Sequence, residues 1–99
     1  MIPVVTLLGD SISAGYGLTE REALPARLEG AMSELGVEVR VVGAGVDGDT
    51  TEDGLARLER SVPTDTDLCV VALGANDLMQ AWAPARIRAA LHEIVERLK

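Results

Sequence analysis

Ninety-nine residues make at most one small domain, and sixteen acids against nine bases, a net charge of −7, disfavour nucleic acid and anionic lipid as partners. The apolar share of 47% is enough for a core, but only Tyr16 and Trp82 are aromatic, so that core must be aliphatic. The lone Cys69 excludes an internal disulfide, and no segment approaches the ~20 apolar residues of a membrane span.

In chain order, residues 2–8 are a continuous apolar run of strand length that ends in Gly9-Asp10-Ser11. Thr19 and Glu22 resemble a capping box, yet Pro25 lies too deep for an unbroken helix from there; the helix either starts later or kinks. Leu24, Leu28, Ala31, Met32 and Leu35 mark that helix, and Gly36 suits its end. Over 37–42, Val37, Val39 and Val41 alternate with Glu38 and Arg40, as in an edge strand. A second helix begins near Thr50 or Thr51, turns Leu55 and Leu58 inward and ends before Pro63. Residues 68–73 are a third strand, apolar throughout, as parallel strands covered on both faces are. After Pro84, a stripe of Ile87, Ala90, Leu91, Ile94, Val95 and Leu98 predicts the third helix.

Right-handed crossovers turn this alternation into an α/β fold, a three-layer doubly wound parallel sheet of flavodoxin-like order 2-1-3 with three helices. Its switch point lies between the loops after Leu8 and Leu73, so Gly9-Asp10-Ser11 and Gly74-Ala75-Asn76-Asp77 should share one crevice. No fourth strand follows to cover the apolar third one, so residues 1–99 read as a single domain that is the N-terminal part of a larger one. The first strand opens the chain with no signal peptide before it; the chain as it stands reads as cytoplasmic, but a processed or re-engineered start would look the same, so the compartment stays open.

A strand-end serine in that crevice is placed as a nucleophile, but its hydroxyl needs a base. The sole imidazole, His92, sits off the apolar stripe with Arg88 and Glu96 four residues to either side, on a water-facing surface. By itself Ser11 also reads as a turn residue or helix cap. Gly43-Ala44-Gly45-Val46-Asp47-Gly48 matches a dinucleotide-binding glycine pattern after a strand and before a helix, but the acid that this motif needs about 20 residues later is missing. Asp47-x-Asp49-x-Thr51 lacks the glycine and distal glutamate of a calcium loop, so neither cofactor nor metal is expected. Cys69 reads as a small core residue, and the acids at 47, 49, 52 and 53 as a solvated helix start.

Gly9-Asp10-Ser11-Ile12-Ser13-Ala14-Gly15-Tyr16-Gly17, Gly48-Asp49-Thr50-Thr51 and Gly74-Ala75-Asn76-Asp77 together resemble the first three blocks of the SGNH (GDSL-type) hydrolases, in order and across essentially the whole chain. The resemblance is to their bacterial arylesterase, acyl-CoA thioesterase and lysophospholipase branch. It implies a serine esterase or thioesterase acting on a small-molecule acyl ester or thioester, in a family whose members are often exported. Ser11 would be the nucleophile, its amide joining the Gly48 amide and the Asn76 side chain as oxyanion-hole donors. Asp10 and Asp77 would be supporting residues. Tyr16, Met79 and Trp82 flank the crevice and either wall an acyl or aryl pocket or cover the core. Two positions depart from the pattern: Gly43 where relatives carry Asn, and Asp47, whose charge would oppose an oxyanion unless it points away. The family's C-terminal Asp-x-x-His is absent, and a truncated gene, a nicked enzyme and a degenerate protein each explain that. The expectation is a chain inactive on its own, completed by a missing C-terminal half, or else an assembly module that self-associates through the third strand.

Overall fold

The computed structural model describes residues 2–99. Strands β1 (Val4–Gly9), β2 (Arg40–Gly45) and β3 (Leu68–Ala72) form one parallel sheet in the order β2-β1-β3, as the apolar runs require. The helical segments are α1 (Ser11–Ala14), α2 (Leu24–Glu34), α3 (Thr51–Ala56), α4 (Leu58–Ser61), α5 (Ala75–Met79) and α6 (Pro84–Leu98). Six therefore stand among the described residues where three were expected. Two of the extra ones are short turns that begin directly after β1 and β3. The third arises because the predicted 50–62 helix breaks at Arg57, whose backbone leaves helical geometry at φ −105° and ψ 12°.

One face of the sheet carries the core: Leu8, Ala44, Leu58 and Ile94, with Leu55, Val62, Cys69, Val71, Leu73 and Leu98 packed around them. Ile94 and Ala90 are the buried positions of the α6 stripe, while Val95 at its margin is 45% exposed. The opposite face carries α1 and α2 over the β1–β2 half, and glycines allow that approach. A Cβ at Gly9 would meet the Ser13 side chain, one at Gly43 the Pro25 ring, and one at Gly45 the backbone of α1. Gly43 and Gly45 are thus strand residues beneath helices, not a phosphate loop, which removes the dinucleotide reading.

The strand boundaries differ from expectation at β2, which begins at Arg40 rather than 37. The ladder starts where the Arg40 N–H donates to the Pro3 carbonyl, so Val37 and Glu38 fall outside it. β1 runs from Val4, where the Val4 N–H donates to the Asp67 carboxylate, through Gly9. Helix α2 starts at Leu24 with Pro25 in its first turn, so the later start holds and there is no kink. Thr19 and Glu22 do bond each other, through the Thr19 N–H and Oγ1 to Glu22 Oε1 at 2.9 and 3.0 Å, but they close a separate turn and cap no helix.

β3 is the outer strand opposite β2, and its second edge meets no strand among the described residues. Cys69 and Val71 face the core. Leu68 and Val70, on the other face, lie beyond the cover of α1 and α2 and are 59% and 42% exposed. Apolar residues therefore line an open strand, the conflict already visible in the sequence.

Candidate active site

The sheet register builds the site. Gly9 lies beside both Gly45 and Ala72, so the chain leaves all three strands at one end, with Asp10-Ser11, Val46–Asp49 and Leu73–Asn76 converging there. Asp10 is buried and caps α1, its Oδ1 accepting the Ile12 N–H at 3.1 Å, which makes Ser11 the first residue of that short helix. Helix α1 ends after one turn at Gly15, φ +77°, where a Cβ would also meet the Ala23 side chain at 2.5 Å. Ser11 is half-buried, and its Oγ has no hydrogen bond to another described residue.

The second loop turns through Gly48 at φ +80°, a left-handed conformation closed by the Asp49 N–H donating to the Val46 carbonyl at 3.2 Å. Thr50 then starts α3 with a full capping box: its Oγ1 accepts the Asp53 N–H at 3.2 Å and the Asp53 carboxylate accepts the Thr50 N–H at 3.1 Å. The third loop leaves β3 through Gly74, φ +130°, into α5, whose first turn carries Asn76 and Asp77.

Side chains lock the loops together. Asn76 Nδ2 donates to the Asp49 carbonyl at 2.8 Å, which orients the amide and leaves it a second N–H. Asp77 is fully buried and accepts both the Thr51 N–H, at 2.9 Å, and the Thr51 hydroxyl. The Gly9 carbonyl accepts the Val46 N–H at 3.1 Å and Arg57 Nη2 at 2.9 Å. Ser11 and Gly48 are left with backbone N–H groups that meet no acceptor among the described residues. Two backbone amides and one carboxamide proton are therefore left without an acceptor among the described residues, on the segments that follow β1, β2 and β3.

The flanking residues divide. Tyr16 and Met79 are each 76% exposed and cover no core. Trp82 is half-buried under the Arg86 guanidinium, 3.5 Å from the ring centroid, and Arg86 also grips Glu52 through two bonds of 2.7 and 3.0 Å. That guanidinium holds the Glu52 carboxyl below its ordinary pKa. Ile12 and Leu78, 72% and 68% exposed, also stand on α1 and α5, the turns after β1 and β3, and nothing in their spacing sets them apart.

Only part of the solvated acidic start survives. Asp47 is exposed, as is Asp53, but Asp49 is buried in an ion pair with Arg57, Nε to Oδ2 2.6 Å. An arginine between Leu55 and Leu58, on the inward side of its helix, was the available signal for that pair. Burial pushes the Cys69 thiol up, in keeping with a core residue rather than a nucleophile. His92 is exposed on α6 beside an apolar groove formed with Leu91, Val95 and Leu78, and it makes no hydrogen bond to Ser11.

The GDSL-like lipase/acylhydrolase family matches residues 7–99. Among curated proteins, an arylesterase of Vibrio mimicus is 38% identical over 94 residues, 94% of this chain and 47% of that protein. Thioesterase 1/protease 1/lysophospholipase L1 of Escherichia coli K12 is 35% identical over 94 residues, 44% of its length. The crystal structure of AlinE4, an SGNH-hydrolase family esterase, superposes with a TM-score of 0.92 at 42% identity, over 99% of this chain and 53% of that one. The chain spans about half the length of the curated relatives it matches. Three glycine-led loops in register, a 2-1-3 parallel sheet and these likenesses agree, and the chain belongs to the GDSL-like lipase/acylhydrolase family, the SGNH hydrolases.

Proposed function

We propose that the chain forms the nucleophile and oxyanion-hole part of a serine hydrolase of carboxylic esters or thioesters, of the arylesterase, thioesterase or lysophospholipase type. The observation that supports this reading is the Asn76 carboxamide, anchored on the Asp49 carbonyl among loops that leave the same end of the sheet as Ser11. In this scheme Ser11 Oγ attacks the acyl carbon, its proton passes to a base, and the negative oxygen of the tetrahedral intermediate takes the three neutral N–H donors. The leaving alcohol or thiol departs with a proton, and water then attacks the acyl-serine to release the acid. Such preorganised donors oppose no charge of their own and need no reorganisation as the oxyanion forms. Asp10 supports the nucleophile by capping its helix, and Asp77 supports Asn76 by anchoring α5 to α3. Ile12, Tyr16, Leu78 and Met79 offer apolar surface to an acyl or aryl group. The base and its orienting acid come from outside these 99 residues, since His92 is exposed on α6.

The chain alone is therefore expected to turn over p-nitrophenyl acetate at no more than residual rate, and added imidazole, acting as the external base, should raise it. Intact-mass analysis should then find one acetyl group on Ser11, absent from Ser11→Ala and unchanged in His92→Ala. Acetylation that survives Ser11→Ala, or turnover that depends on His92, would overturn the assignment.

A second reading rests on the bare edge and face of β3: the strand pairs with further polypeptide or with a second copy of the chain, in a non-catalytic assembly. Sedimentation equilibrium should then show a dimer that Val70→Lys dissociates, and a monomer at every concentration would exclude self-association.

A further inference from the structure

Arg57 is the one cation buried among the described residues. A buried guanidinium is tolerated only when its donors find partners, and three of its nitrogens do. Nε donates to Asp49 Oδ2 at 2.6 Å, Nη1 to Ser61 Oγ at 3.0 Å and Nη2 to the Gly9 carbonyl at 2.9 Å. Stability alone gives little reason for the pair, because replacing a buried ion pair with packed apolar residues is often neutral or favourable. Leu58, the next residue along, shows that apolar side chains fit this layer. What distinguishes Arg57 is the two groups it joins. The Gly9 carbonyl is the last ladder acceptor of β1 and belongs to the peptide bond that leads into Asp10-Ser11. Asp49 is the residue whose own carbonyl holds the Asn76 carboxamide.

We infer that Arg57, acting through Asp49, is a positioning residue that sets the Ser11 end of β1 against the Asn76 side chain. The inference rests on the assignment of Ser11 as nucleophile and Asn76 as oxyanion donor made above. With Asp49 clamped by Nε, its carbonyl is a fixed acceptor, and the Asn76 amide plane is fixed in turn. With Gly9 held by Nη2, the strand end cannot drift from that plane. The planar fork reaches both at once, which the single ammonium of a lysine cannot. The effect is on geometry, so it should appear in the chemical step and not in substrate capture.

The test uses the full chain with p-nitrophenyl acetate and imidazole, reading Ser11 acetylation by mass, alongside hydrogen exchange of the Asn76 side-chain NH₂ by NMR and the urea midpoint. The informative variant is Asp49→Leu combined with Arg57→Met, which removes both charges and leaves neither stranded. It is expected to unfold cooperatively near the wild-type midpoint, to lose at least about tenfold in maximal acetylation rate with half-saturation unchanged, and to exchange the Asn76 NH₂ at least about tenfold faster. Arg57→Lys should lie between it and the wild type. A double variant that folds, acetylates Ser11 at the wild-type rate and protects Asn76 as before would overturn the inference. If the wild type itself gains no acetyl group on Ser11, the hydrolase assignment fails. Asn76 exchange then decides the positioning role alone: faster in the double variant supports it, unchanged refutes it. Should the double variant not fold, Arg57→Lys takes its place in the same measurements. Slower acetylation with faster Asn76 exchange then supports the inference, and wild-type values of both overturn it.

Discussion

Gly45→Ala is expected to destabilise the fold by about 3 kcal/mol or more, at the upper end of what overpacking costs. A Cβ there would lie 2.3 Å from the Ala14 nitrogen, 2.7 Å from the Ser13 carbonyl carbon and 2.8 Å from the Asp10 carbonyl oxygen. All three are backbone atoms of the α1 turn, so no side-chain rotation relieves the clash; α1 must lift from the sheet. A chain of this size has a total stability on the order of 5–15 kcal/mol, and the loss takes a large part of it. Because α1 begins at Ser11, a variant that still folds should also present the serine in the wrong place. Gly30→Ala is the control: it sits in α2 with no atom within 4 Å of the added Cβ, and alanine should stabilise it by about 0.5–1 kcal/mol. Urea unfolding of the two variants beside the wild type checks both signs, and equal midpoints for Gly45→Ala and wild type would refute the packing argument.

Asn76→Ala should slow Ser11 acetylation by about 10²–10³, the usual cost of one lost oxyanion donor. The same change leaves the Asp49 carbonyl without its partner, which should cost on the order of 1 kcal/mol in stability. The two effects separate, because a loss of that size leaves the chain folded while the rate falls by orders of magnitude. Asn76→Asp should be worse for rate than alanine, since it sets a carboxylate where negative charge develops. The check is the imidazole-assisted acetylation rate on protein whose urea transition is still cooperative. A folded Asn76→Ala chain that acetylates at the wild-type rate would remove Asn76 from the oxyanion hole.

The elements that could be read from residue order were those whose cause is local or repetitive. The aliphatic runs of β1 and β3, the α6 stripe and the glycine-led loops each carry their signal within a few residues, and the strand order followed from which run bore charges. The β2 start was misplaced because valine alternation over 37–42 looks like a strand, while the hydrogen-bond partner at Pro3 decides where pairing begins. The glycines at 43 and 45 suggested a ligand loop because their other use, making room for α1 and α2, depends on elements distant in the chain. Asp49 was read as solvated for a similar reason. Its partner Arg57 sits where the helix breaks and also donates to the Gly9 carbonyl, 48 residues from it in the chain.

Residue order by itself determined the family, through the resemblance of its three glycine-led motifs, and the parallel α/β class with its 2-1-3 strand order. The class and strand order follow from hydropathy period, strand length and handed crossovers, which act along the chain. Tertiary structure alone decided which groups hold the crevice together: Asn76 on the Asp49 carbonyl, Asp77 on Thr51, and Arg57 between Asp49 and Gly9. Hydrogen bonds between side chains and a distant backbone are directional and short-ranged, so they exist only once the sheet has brought its three loops to the same end.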